Sequence, residues 1–298
     1  MLIDSRLRFD TFVVGSANRL AVAAARAVAE TPGAVYNPLF IYSGSGLGKT
    51  HLMSAIGNQV AQRRTDIVVQ LLTLDDFVEE LHDAVASGDT EPFKTRYLGV
   101  GLLLLDDVQF LVGRRETQSE LLRIFNALQA DGRQIVMTSD RPPNEIADVD
   151  ERLLTRLAGG LIVDIGEPEY ETRMTILKAK CEERGVCLRA GVVEEVGRLE
   201  FANVRELHGA LNRLIAYQAL GGEQIEPDAV LRILGDLAGH RTLIKPPQDC
   251  VRAELEPDQS QASRDAAMRA ATDPFFLDIE KIIWRWPEPT GRLIEELR

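Results

Sequence analysis

Ser43-Gly44-Ser45-Gly46-Leu47-Gly48-Lys49-Thr50 follows directly on the apolar run Leu39-Phe40-Ile41-Tyr42. The pair reads as a buried strand entering a glycine-rich turn, with Lys49-Thr50 opening a helix. Small residues there let backbone N–H groups face phosphate oxygens, and the positive end of the following helix adds to that field. Lys49 is placed to reach the β- and γ-phosphates of a nucleoside triphosphate, and the Thr50 hydroxyl to ligate Mg²⁺. Gly44, Gly46, Leu47, Gly48 and His51 join them as expected nucleotide contacts. Against the pattern G-x-x-x-x-G-K-[ST], Ser43 stands where the first glycine belongs, while Gly46, Gly48, Lys49 and Thr50 keep the pattern.

Leu102-Leu103-Leu104-Leu105-Asp106-Asp107 supplies the complement, a buried-strand run ending in two carboxylates. Asp106 is expected in the Mg²⁺ shell. Asp107 is expected to orient the attacking water, because phosphoryl transfer needs positioning and charge stabilisation more than covalent help.

The 298 residues allow about two domains, and 45% hydrophobic content suffices for a sizeable core. No apolar run approaches the ~20 residues of a membrane span, and Met1 to Asp10 lacks a signal peptide's apolar stretch. Cys181, Cys187 and Cys250 lack metal-ligand spacing and read as reduced thiols, pointing to the cytoplasm. A net charge of −12 argues against a protein that coats duplex DNA electrostatically.

Hydrophobic periodicity predicts helices over 16–30, 49–64, 75–86, 91–97 and 117–130, and strands over 38–43, 67–72, 102–105, 134–138 and 161–165. Helical patterns then dominate over 169–184, 191–200, 204–220 and 227–238. Strands alternating with helices, then helices alone, imply an α/β core with a parallel sheet and a small all-helical lid.

The wording of several motifs, in order, resembles the AAA+ ATPase core of the bacterial DnaA family. They are Phe9-Asp10-Thr11-Phe12-Val13-Val14-Gly15, Tyr36-Asn37-Pro38-Leu39-Phe40-Ile41-Tyr42, Gly46-Leu47-Gly48-Lys49-Thr50-His51-Leu52, Asp106-Asp107-Val108-Gln109-Phe110, Thr138-Ser139-Asp140-Arg141-Pro142-Pro143 and Asn203-Val204-Arg205-Glu206-Leu207. The resemblance implies a P-loop fold that binds ATP or ADP with Mg²⁺, hydrolyses ATP slowly, and serves initiation of chromosomal replication or its regulation.

By that resemblance Asp140 is the residue that senses the γ-phosphate; read from the residues alone it starts an Asx-type turn before Pro142-Pro143. Arg156 matches an arginine finger that reaches a neighbouring subunit's ATP, so a head-to-tail oligomer of the chain is implied. Arg205 matches a lid arginine that closes on the same molecule's phosphates. Val14 and Asn18 fall in the strip flanking adenine, where ordinary core packing is the alternative. The 75–97 helices coincide with the insertion that holds single-stranded DNA in this family, with Val78, Arg114 and Arg115 at matching positions. Glu116 departs from the pattern by placing a carboxylate where a second basic residue is common. A solvated Arg-Arg-Glu turn ahead of the 117–130 helix is the alternative there.

The expected organisation is an AAA+ core over 1–166, a helical lid over 167–240, a linker over 241–272 and an aromatic segment over 273–298. The last spans Phe275 to Trp286, with both tryptophans, and reads as a docking peptide or as a segment folded back on the core. From Pro246 to Arg298 there are 11 acidic residues and 7 basic ones, the wrong sign for a duplex-reading domain. Origin reading by the chain alone is therefore not expected. Two functions follow: a nucleotide-switched regulator that meets an initiator, clamp or helicase, as Hda-like relatives do, or a module that assembles on single-stranded DNA.

Overall fold

The computed structural model describes residues 3–189, 191–221 and 224–235. The expected linker and aromatic segment, and Cys250, lie outside the described residues.

Because Leu102 to Leu105 are apolar on both faces of an extended chain, the strand they form needs cover on both sides. Strand β3 (Leu102–Asp106) is buried throughout, and so is β4 (Gln134–Ser139) beside it. With β1 (Leu39–Tyr42), β2 (Val69–Thr73) and β5 (Leu161–Asp164) they make a five-stranded parallel sheet in the order β2-β3-β4-β1-β5. Parallel neighbours require long crossovers, which the helices provide.

One face is covered by α1 (Arg19–Glu30) and α2 (Lys49–Arg63), whose Val22, Val28, Leu52, Ile56 and Val60 meet Leu39, Ile41, Leu104 and Val136. The other is covered by α3 (Leu74–Ala86), α4 (Glu91–Leu98), α5 (Arg115–Ala130) and α6 (Glu151–Leu157). Helix α3 starts at a capping box, with Thr73 and Asp76 exchanging side-chain to backbone bonds of 3.1 Å. It is tied to α4 by the Phe77, Phe93 and Tyr97 ring cluster and by the Tyr97 hydroxyl donating to Glu80 at 2.6 Å. A third hydrophobic cluster, separate from the sheet, joins α7 (Tyr170–Glu183), α8 (Val192–Arg198), α9 (Val204–Gly221) and α10 (Val230–Leu234) through Leu177, Val196, Leu211, Leu214 and Ile233.

Several elements differ from the sequence-based expectation. Strand β2 begins at Val69, because the Ile67 N–H closes a turn on the Arg64 carbonyl at 3.0 Å. Helix α5 begins at Arg115, so Arg115 and Glu116 are its first turn and no separate Arg-Arg-Glu turn precedes it. Helix α6 was not foreseen; its seven residues carry only Leu153, Leu154 and Leu157 as a core-facing stripe, and the Asp150 carboxylate caps it by accepting from Arg152 N–H at 2.9 Å. Among the described residues, the pattern predicted over 227–238 gives a 3₁₀ turn, Pro227–Ala229, and α10.

Candidate functional site

The carboxyl ends of β1, β3 and β4 converge where a topological switch is expected to hold a ligand. Between β1 and α2 the loop turns through Gly46 (φ +79°) and Gly48 (φ +107°), conformations that L side chains rarely adopt. Ser43 lies outside the positive-φ residues, its N–H donates to the Ser139 carbonyl at 3.1 Å, and its hydroxyl donates to the Gly44 carbonyl at 3.0 Å. A serine therefore serves where the motif writes glycine, because the backbone there needs no left-handed residue.

Lys49 is buried at the first turn of α2, and its ammonium donates to the Ser43 and Gly44 carbonyls at 2.8 and 3.1 Å. Burial pushes its pKa down, against the pull of Asp107, Asp106 and Asp140. A phosphate oxyanion outcompetes neutral carbonyls for such a donor, since charge-assisted hydrogen bonds are about twice as strong.

Thr50 Oγ1 donates to Asp106 Oδ2 at 2.7 Å, and Thr138 donates to the other oxygen of the same carboxylate. One hydroxyl and one carboxylate suit Mg²⁺, which keeps most of its waters and takes phosphate oxygens as further ligands. Among the described residues no group of three His, Cys, Asp or Glu side chains forms a metal cage.

Asp107 sits in the left-handed region at φ +59°. Its N–H donates to Asp106 Oδ1 at 3.1 Å and to Thr138 Oγ1 at 3.2 Å, and its carboxylate accepts from Gln109 Nε2 at 3.0 Å. Asp140, beyond the end of β4, is held by a two-point pair with Arg141 at 2.7 and 2.9 Å, which lowers its pKa. Lys49, Thr50, Asp106, Asp107 and Asp140 are thus gathered at one sheet edge.

The lid helix α9 begins against the phosphate loop. Val204 N–H donates to the Gly46 carbonyl at 3.2 Å and Arg205 Nη1 to Ser45 Oγ at 3.2 Å. A Cβ on Gly46 would lie 2.9 Å from Asn203 Oδ1, so the second glycine of the loop also makes room for the lid. Arg156 is exposed on α6, with its guanidinium 3.4 Å from Gln129 Oε1.

Asn18 spends its side chain locally, accepting from Gly15 N–H at 2.9 Å and donating to the Val13 carbonyl at 3.0 Å, which fixes the strip that carries the exposed Val14. The His51 imidazole turns to the N-terminal segment, 3.0 Å from the Arg8 carbonyl and 3.2 Å from Thr11 Oγ1, with its ring edge-on to Phe12. Val78, Arg114, Arg115 and Glu116 line two adjoining grooves of about 530 and 490 Å³ between α3 and α5. Arg114 is paired with Asp75 at 2.9 Å, and Arg115 and Arg123 share the larger groove with Glu116 and Glu120. Sequence reasoning missed Gln109 and Thr138 as site residues; both stood in quoted motifs, yet only the tertiary structure shows what they touch.

The family model for the bacterial DnaA ATPase domain matches residues 3–164. This chain belongs to the bacterial DnaA ATPase family. The DnaA chromosomal replication initiator of Thermus thermophilus is 43% identical over 84% of this chain and 57% of its own length. The Chloroflexus aggregans initiator is 44% identical over 80% of this chain and 50% of its own, so the chain spans about half the length of the curated relatives it matches. Domain III of DnaA from Thermotoga maritima superposes with a TM-score of 0.76 at 38% identity, covering 80% of this chain and all of that one. A replication initiator DnaA bound to AMPPCP and single-stranded DNA superposes at 0.68 with 37% identity, covering 74% of this chain and 68% of that one. Among the described residues no helix is long and apolar enough to cross a membrane.

Proposed function

We propose that the chain is a DnaA-like AAA+ ATPase that works as an ATP-dependent, self-assembling switch in initiation of chromosomal replication or its regulation. The observation that carries this is the split placement of two arginines: Arg205 reaches Ser45 of its own phosphate loop, while Arg156 stands exposed on α6. One arginine reports on bound nucleotide in the same molecule; the other is free to complete a neighbour's site in a head-to-tail oligomer. Residues 1–166 are the nucleotide-binding core and 167–240 the lid, consistent with their separate hydrophobic clusters.

In the proposed mechanism the loop from Gly44 to Gly48 wraps the phosphates with backbone N–H groups, and Lys49 supplies positive charge. Thr50 and Asp106 would hold Mg²⁺, which when bound would supply positive charge beside the phosphate oxygens. Asp107 orients water, Asp140 faces the γ-phosphate, Arg205 closes the lid, and the partner molecule's finger completes the charge stabilisation. Val14 and the Asn18-braced strip flank the base, and His51 contributes by tying α2 to that strip rather than through its imidazole.

The relative bound to single-stranded DNA supports a second element, strand binding along the α3–α5 grooves by Val78, Arg114 and Arg115. Glu116 and Glu120 offset Arg115 and Arg123 there, so strand affinity rests on assembly of several copies rather than on one groove. A protein partner such as an initiator, clamp or helicase, in the cytoplasm, completes the reading.

Phosphate release by the protein against a Lys49→Ala control, with anisotropy of a labelled single-stranded oligonucleotide in ATP and in ADP, tests this. Hydrolysis above control, with oligonucleotide binding in ATP alone that Arg156→Ala abolishes, is expected. Bound nucleotide without phosphate release reduces the site to a binding switch. Hydrolysis without strand binding favours the regulator acting through protein partners.

A further inference from the structure

We infer that Gln109 is a positioning residue for hydrolysis, a single side-chain amide that ties the water-orienting carboxylate of Asp107 to the backbone of Asp140. The inference rests on the ATPase reading above and assigns a role to a side chain that reading does not use.

Gln109 lies in the 3₁₀ turn Val108–Leu111 that follows β3. Its Nε2 donates to Asp107 Oδ1 at 3.0 Å, and its Oε1 accepts from Asp140 N–H at 3.2 Å. The two ends of one planar amide thus join the carboxyl ends of β3 and β4. An amide suits this role at neutral pH, because it carries a donor for the carboxylate and an acceptor for the N–H.

Asp107 needs such a brace. Its backbone is in the left-handed region at φ +59°, which a non-glycine residue keeps only when its surroundings hold it there. Its N–H is held by Asp106 and Thr138, but among the described residues the hydrogen-bond donor to its half-buried carboxylate is Gln109 Nε2. Without that donor the carboxylate is free to rotate about its Cα–Cβ bond. In the reaction the water oxygen bonds to the γ-phosphorus and the bond from phosphorus to the β,γ-bridging oxygen breaks. The bond's electron pair leaves with ADP; the water's protons depart with the phosphate, one of them released to solvent near pH 8. Asp107 must accept a hydrogen bond from that water in one orientation, and small misplacement of such a group is costly in rate.

The far end of the amide carries a second consequence. Asp140 N–H follows β4 directly, so displacement of Asp140 is transmitted through Gln109 to Asp107. This couples the residue facing the γ-phosphate to the residue facing the water.

The test compares the full chain with Gln109→Ala and Gln109→Glu, measuring ATP affinity by nucleotide fluorescence and kcat by phosphate release. Gln109→Ala is expected to keep ATP affinity within about twofold and to lose about tenfold to a hundredfold in kcat. Gln109→Glu keeps the length of the side chain but replaces its donor with an acceptor, and is expected to show the same loss of kcat with ATP affinity kept. Parent-like kcat in either variant, or a fall in ATP affinity as large as the fall in kcat, overturns the inference while leaving the ATPase reading intact. Failure of the parent itself to release phosphate above Lys49→Ala overturns both.

Discussion

Thr50 Oγ1 and Asp106 Oδ2 are 2.7 Å apart, although one residue opens α2 and the other ends β3. The contact joins the phosphate loop to the acidic strand end at the position of the proposed Mg²⁺, and Thr138 fixes the same carboxylate from β4. Asp106→Asn keeps that packing but removes the charge. It is expected to lower phosphate release by about a hundredfold or more and to shift the Mg²⁺ titration to higher concentration, with little change in melting temperature. Mg²⁺ titrations of phosphate release, beside thermal melts, check it.

Arg205→Ala and Arg156→Ala are expected to fail differently. Losing the lid arginine removes a hydrogen bond between charged groups, about 1.5–3 kcal/mol, which raises the ATP Kd roughly tenfold to a hundredfold in a dilute monomer. Arg156→Ala leaves that Kd unchanged and removes the concentration-dependent part of hydrolysis. Mixing Arg156→Ala with Lys49→Ala restores part of the activity, because a finger from the second protein completes the site of the first. Absence of restoration at any ratio counts against the head-to-tail arrangement.

Ser43→Gly and Gly46→Ala reverse the usual ranking of glycine positions. Ser43 has an ordinary backbone, so the substitution to the motif's glycine is expected to leave ATP affinity within about twofold and to cost at most ~1 kcal/mol of stability through backbone entropy. At Gly46 a Cβ would sit 2.9 Å from Asn203 Oδ1 and 3.0 Å from Arg205 Cγ, in a left-handed backbone. Gly46→Ala is expected to cost about 1–2 kcal/mol and to weaken ATP binding by displacing the start of α9. Denaturant unfolding with nucleotide titration separates the two.

Burial lowers the pKa of His51, opposed by its contact with the Arg8 carbonyl, and burial likewise lowers that of His208. The folded state therefore binds fewer protons than the unfolded chain below the unfolded value near 6.5. Their contribution to stability is full above that value and is lost as pH falls through the lowered folded values. Melting temperature is expected to drop between pH 7 and 5, and His51→Gln to make the drop shallower. Asp150, held down to about pKa 2 by its hydrogen bonds from Arg152, acts only at much lower pH, below its ordinary 3.8. Melts across pH 2 to 8 distinguish the two windows.

Glu116→Lys is expected to strengthen single-stranded DNA binding in ATP and to steepen its logarithmic salt dependence by about 0.7, the increment for one added phosphate contact. Anisotropy at several salt concentrations reads both. An unchanged slope places the strand away from the α3–α5 grooves.

The parallel sheet, the phosphate loop and the Asp106 strand were legible in the chain because each depends on consecutive residues. A run of four leucines needs cover on both faces, and a turn that aims N–H groups at phosphates needs Gly46 and Gly48 at fixed offsets. Helix α6 was not legible, since seven residues with three leucines give too short a period to read. Local wording marks Ser43 as a departure from the motif; only the structure shows that it lies outside the left-handed backbone positions and that its N–H is bonded to Ser139.

What only the tertiary structure decided is the pairing of groups distant in sequence. Gln109 between Asp107 and Asp140, Thr138 on Asp106 and Arg205 on Ser45 each join separate elements. The direction of the His51 ring was settled in the same way, by Arg8 and Thr11 rather than by the motif that contains it. Residue order sets which backbone conformations and hydrophobic faces are available. Which hydrogen-bond donor meets which acceptor is settled when the strand ends are brought side by side, because such bonds act only at contact distance.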